Sequence, residues 1–122
     1  MRLALVLTTL FLLATPAAAH APRTGPNGGQ MVDAGATWHA ELVTDGSATV
    51  VLFLYDMNDK PVAASGFSGN AILIIAGKPH RFRLDTGDGS RLTGTAPVPV
   101  TGIVKGAIQL TTPDGSTAQA KF

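Results

Sequence analysis

The chain has 122 residues, with 9 Lys and Arg against 8 Asp and Glu, three His, 14 Gly, eight Pro and no Cys. That length leaves room for one domain, and the missing Cys removes disulfides, thiolate catalysis and Cys-based zinc sites. Near-neutral charge argues against nucleic acid as a partner, which calls for a basic face.

Residues 1–19 read as a secretory signal. Arg2 supplies the positive end, Leu3 to Leu13 the apolar run, and Ala17-Ala18-Ala19 the A-x-A cleavage pattern. The run is short for a bilayer span, and no other segment is long and apolar enough to cross one. Cleavage after Ala19 makes His20 the first mature residue; cutting after Ala18 or Ala21 would place Pro16 or Pro22 badly for the peptidase. Arg2 departs with the signal, so the mature balance is 8 cations against 8 anions. The bacterial periplasm is the expected location. The chain has no N-x-[ST] acceptor, and no Cys at the cut site to anchor a lipid.

Residues 20–29, HAPRTGPNGG, form a flexible arm, since Pro and Gly punctuate them too densely for a helix or an interior strand. Residues 30–122 form the domain. Its first short strand is expected over 29–34. Thr37 to Val43 alternates, with Trp38, Ala40 and Leu42 on one face and His39, Glu41 and Val43 on the other. Asp45-Gly46 signals a type I′ hairpin turn. Ala48 to Tyr55 is apolar on both faces and reads as a central strand covered on both sides. A longer connection precedes a second apolar strand, Asn70 to Ala76. Gly77-Lys78-Pro79 turns into His80 to Asp85. Further strands are expected over 90–96, 104–112 and 116–122, with Pro113-Asp114-Gly115 as the last turn.

Seven or eight short strands at near-regular spacing predict an all-β protein, an Ig-like β-sandwich, with a small barrel as the alternative. The expected core includes Trp38, Leu42, Val50, Leu52, Leu54, Ile72, Ile74, Phe82, Leu84, Leu92, Val104, Ile108, Leu110 and Phe122.

Little here suggests catalysis, and the chain is expected not to be an enzyme. The serines sit in or beside turns, none in a G-x-S-x-G elbow, and the glycine pairs do not lead strands into helices as a phosphate cradle requires. Metal binding is the sharper possibility. A mature N-terminal His20 offers an α-amine and a ring nitrogen, a chelate suited to Cu(II). His39 and Glu41 lie two residues apart on one strand face, about 7 Å from each other, and could complete a site with Asp33 or His20. The competing reading makes them a solvated outward pair. His80 reads as a boundary residue, and Met31 and Met57 as core filler before Cu(I) ligands.

Three stretches carry a resemblance: His20-Ala-Pro-Arg-Thr-Gly-Pro-Asn-Gly-Gly-Gln-Met-Val32, Trp38-His-Ala-Glu-Leu-Val43 and Asp56-Met-Asn-Asp-Lys-Pro-Val62. They resemble small secreted bacterial β-domain proteins and the N-terminal domain of periplasmic adaptor subunits of heavy-metal RND efflux pumps. Related arms often carry several His; this one has His20 alone, with Asn27 before the glycine pair. The resemblance implies a stand-alone periplasmic module linked to metal handling. The expected function is capture or transfer of a transition metal, copper before zinc or nickel, through His20, His39 and Glu41. The alternative is a metal-free interaction module that docks by its strand edges on an efflux-pump or envelope protein.

Overall fold

A computed structural model describes residues 21–122, and His20 and the signal segment lie outside them. Nine strands follow one another: β1 (Arg23–Thr24), β2 (Gln30–Ala34), β3 (Trp38–Thr44), β4 (Thr49–Asp56), β5 (Ser68–Ile75), β6 (Lys78–Thr86), β7 (Arg91–Thr95), β8 (Lys105–Thr111) and β9 (Thr117–Lys121). Among the described residues there is no helix, so none is long and apolar enough to cross a membrane.

The strands form one antiparallel sheet in the order β1-β2-β3-β4-β7-β6-β5-β8-β9. β2 also pairs with β9, through Ala34 and Ala120. Eight strands therefore close into a barrel, with β1 added outside it. The expected sandwich is corrected to a closed barrel, and the reason is two short seams. At the first, Ala34 and Ala120 are small enough for the strands to meet, and Gly35 N–H donates to Gln119 O at 3.1 Å. At the second, β6 pairs with β7 only at Asp85↔Thr93 and Thr86↔Leu92. Without these contacts the strands would part into two four-stranded leaves, β2-β3-β4-β7 and β6-β5-β8-β9.

The interior is apolar. Val50, Leu52 and Leu54 of β4, Leu73 of β5, Leu84 of β6, Leu92 of β7 and Ile108 and Leu110 of β8 are at most 1% exposed. Each contributes about 1.5–3 kcal/mol of burial free energy. Trp38 lies at the edge of this core, edge-on to Phe67 with centroids 5.4 Å apart.

Two expectations fail locally. Ile72 and Ile74 were placed in the core, but they point outward at 36% and 42% exposure. Ala71, Leu73 and Ile75 take the inward positions. The run Ile-Leu-Ile-Ile has no alternation, so period-2 reasoning has no face to choose. The type I′ turn at Asp45-Gly46 is also absent. The last β3–β4 pair is Thr44↔Val50, which leaves a five-residue loop; Gly46 has positive φ and Asp45 does not. Asp45 instead accepts bonds from Ser47 N at 3.0 Å and Ser47 Oγ at 2.5 Å. The tight two-residue turn occurs at Ala76-Gly77, both with positive φ, between the paired Ile75 and Lys78.

Candidate functional site

β3 sends Ala40 and Leu42 into the core and His39 and Glu41 to the outer wall. Both outward residues are nonetheless buried, His39 at 5% and Glu41 at 0% exposure. The arm covers them. Arg23 and Thr24 pair with Met31 and Gln30, and the chain then turns through Gly25–Gly29 directly over Glu41. Residues 20–29 were expected as a flexible arm; Arg23–Thr24 pair with β2, and Asn27 and Gly29 bond to the barrel wall.

Glu41 is saturated. Its Oε2 accepts Asn27 N–H and Gly29 N–H, each at 2.9 Å. Its Oε1 accepts Asn27 Nδ2 and the Tyr55 hydroxyl, each at 2.9 Å. Asn27 Nδ2 also lies 3.0 Å from Tyr55 Oη. A carboxylate is acceptor-only, with about four lone-pair sites, and all four are used. Gly25 passes so close that any Cβ there would overlap the carboxylate. Neither the solvated pair nor the ligand reading of Glu41 describes this geometry: it fastens the arm.

His39 is held in the same way. Its Nδ1 lies 2.7 Å from Asp59 Oδ1 and its Nε2 3.1 Å from Asp33 Oδ1. Arg23 Nη2 bonds the same Asp59 oxygen at 2.6 Å. The ring stands between its two carboxylates instead of sharing a centre with them. Among the described residues, no group of three or more His, Asp or Glu side chains is arranged to hold a metal ion. Sequence reasoning offered Asp33 or His20 as a third ligand, and the β2–β3 register brings Asp33 opposite His39. It missed Asp59, Asn27 and Tyr55, which come from loops and from the next strand. Arg23 first, and His39 second, hold the Asp59 carboxyl below its ordinary value of 3.8.

Burial first, and its hydrogen bond to Glu41 second, push the Tyr55 hydroxyl up from 10.0 to about 12. The protonated form is therefore the one the fold favours. That contribution is complete below about pH 10 and is lost as pH rises through about 12. At 1.36 kcal/mol per unit it amounts to roughly 2–3 kcal/mol. Tyr55 is the one Tyr in the sequence, so the absorbance change on tyrosinate formation belongs to it alone. We expect its transition near pH 12, coincident with release of the arm. Tyr55→Phe should abolish the transition and lower stability at pH 7 by about 1.5–3 kcal/mol, the worth of a hydrogen bond to a charged acceptor; a midpoint near 10 would show the hydroxyl free of Glu41.

The stretches that carried the resemblance thus have structural work in common. Asn27-Gly28-Gly29 supplies donors and Glu41 accepts them. Asp56 accepts the Asn58 and Lys60 amides at 2.8 and 3.0 Å, shaping the loop that carries Asp59 to His39. Pro61 then bridges back to Tyr55.

The other outer wall, across β6-β5-β8-β9, is different. Arg81, Arg83, Lys105 and Lys121 are exposed on it, around the exposed Ile72 and Ile74 and a row of amides, Asn70, Gln109 and Gln119. Its one acid is Asp85, bound to Arg83 at 2.6 Å. The wall holds a depression of about 830 Å³. The arm side instead carries Asp59, bonded to Arg23 and His39, with Asp33 beside His39 and Glu41 buried under the arm. The near-balance of 9 Lys and Arg against 8 Asp and Glu hides an uneven distribution of charge. His80 is half-buried at the start of β6, Met31 is buried beneath the arm pairing and Met57 is exposed.

The class these features define is a small closed antiparallel barrel with a docked N-terminal arm and a basic, partly apolar wall. No protein-family model, curated protein or solved structure matches the chain.

Proposed function

We propose that this protein is a non-enzymatic binding module of the bacterial periplasm, exported by cleavage after Ala19, that docks on an envelope or efflux-complex protein through the β6-β5-β8-β9 wall. The observation that carries the reading is the composition of that wall: Arg81, Arg83, Lys105 and Lys121 against Asp85 alone, with Ile72 and Ile74 exposed among them. Clustered charge of one sign steers an oppositely charged partner, and exposed apolar groups between the charges give it area to bury. The oxygens of Glu41 are engaged by the arm and Tyr55, and the ring nitrogens of His39 face Asp59 and Asp33. Copper capture is left resting on His20, outside the described residues.

The test uses protein purified after export. It should be retained on immobilised poly-L-glutamate at low salt and released as salt rises. Lys105→Glu with Lys121→Glu should elute near the void volume with unchanged melting. Equal retention of both would overturn the reading. So would submicromolar Cu(II) binding lost on His39→Ala, which would restore the metal-carrier function.

A further inference from the structure

β6 is only half enclosed. Its residues Lys78 to Phe82 pair with Ile75 to Ala71 of β5, but pairing with β7 begins only at Asp85. Among the described residues, no backbone hydrogen bond ties Lys78–Phe82 to any element but β5. Burial of the inward side chains follows the same gradient. Leu84, near the β7 contact, is 0% exposed, whereas Phe82 and His80 are half-buried. Along this stretch β6 therefore has no strand partner on the side away from β5, and Phe82 is only half-buried.

An open strand edge invites another strand. The flanking side chains select which one. Arg81 and Arg83 stand on the outer face two residues apart, about 7 Å along the strand. Side chains of an added strand alternate with the same repeat. Acidic residues on its outer face would sit opposite these arginines, and opposite charges across a strand pair are stabilising. Its inward residues would meet His80 and Phe82 and should be apolar. A second copy of β6 is disfavoured, because antiparallel self-pairing sets arginine near arginine. Pro79 lacks an N–H, so any added strand finds no donor at that position.

We propose that the β6 edge, Lys78–Phe82, takes up an extended segment of a partner protein in which acidic residues alternate with apolar ones. This rests on the binding-module reading above and specifies its partner.

The probe is a capped hexapeptide alternating glutamate and valine, added to the isotope-labelled exported protein. Binding should slow exchange of the His80, Arg81 or Phe82 amide hydrogens at least tenfold, in whichever of them face the open edge. A lysine–valine peptide should bind at least tenfold more weakly. Arg81→Glu with Arg83→Glu should cost a similar factor without changing the melting temperature. Binding with no amide protection, or equal binding of the two peptides, overturns strand addition. Should the peptide fail while anionic phospholipid vesicles bind in an Arg81-dependent way, the wall is a lipid surface; strand addition falls and a binding module survives. If peptide, vesicles and poly-L-glutamate all fail, both proposals fall together.

Discussion

Glu41→Ala is expected to destabilise the protein by about 3 kcal/mol. Hydrogen bonds to a charged acceptor are worth about 1.5–3 kcal/mol each, and the carboxylate accepts four. The sum overstates the cost, because an arm that lets go can hydrate Asn27 and Gly29. Tyr55 has no such escape, being 4% exposed in the wall. Equilibrium urea unfolding measures the loss, and hydrogen exchange at Asn27 and Gly29 locates it. Glu41→Gln should cost about 2 kcal/mol although it keeps the shape. Wherever the new amide nitrogen points it faces donors: two backbone N–H groups on one side, the Asn27 amide and the Tyr55 hydroxyl on the other. A loss under 0.5 kcal/mol in Glu41→Ala, within the range of ordinary surface changes, would show that the arm is held by other means.

Gly106→Ala should be at least as damaging, about 3 kcal/mol or more. Gly106 sits in β8 opposite Leu73, with φ at 140°. That backbone conformation is strained for any residue with a Cβ, at roughly 1–3 kcal/mol. Space adds to it: the Cβ would lie 2.8 Å from Leu73 Cα and overlap the Ile72 carbonyl oxygen. β8 would have to move off β5, to which seven residue pairs bind it. Gly46→Ala is the control. Its φ is also positive, but a Cβ there meets nothing within 4 Å, so conformation alone should cost about 1–2 kcal/mol. Thermal melting of the two variants separates collision from strain; similar losses would refute the collision at Gly106.

The eight main strands were legible because each is a short apolar or alternating run bounded by Gly, Pro or Asp. Their bounds agree with the expected ones to within two residues. Closure was not legible. It depends on Ala34 meeting Ala120, and on Gly94, where a Cβ would overlap the Arg83 carbonyl oxygen. Small residues permit close approach without announcing which strand will approach. The extra strand Arg23–Thr24 was hidden in a segment whose Pro and Gly content argues for loop. At the candidate site, alternation correctly put His39 and Glu41 on one face. It could not show that the arm would cover that face, because the cover is assembled from backbone amides of residues 12 and 14 positions away. Asn27, Gly29 and Tyr55 carry no local signal for this role.

The Asn27-Gly28 step has a consequence for how the molecule ages. A glycine after asparagine leaves the following backbone nitrogen poorly shielded from the side-chain amide, the arrangement in which asparagine most readily converts to aspartate. Glu41 and Tyr55 grip that amide and hold it in one orientation. A chain that lost the nitrogen would set one negative oxygen against another where a donor had met an acceptor, and the two would repel. The folded protein therefore guards the group on which its own fastening depends, and a lapse at that single bond would come undone from the N-terminal end first.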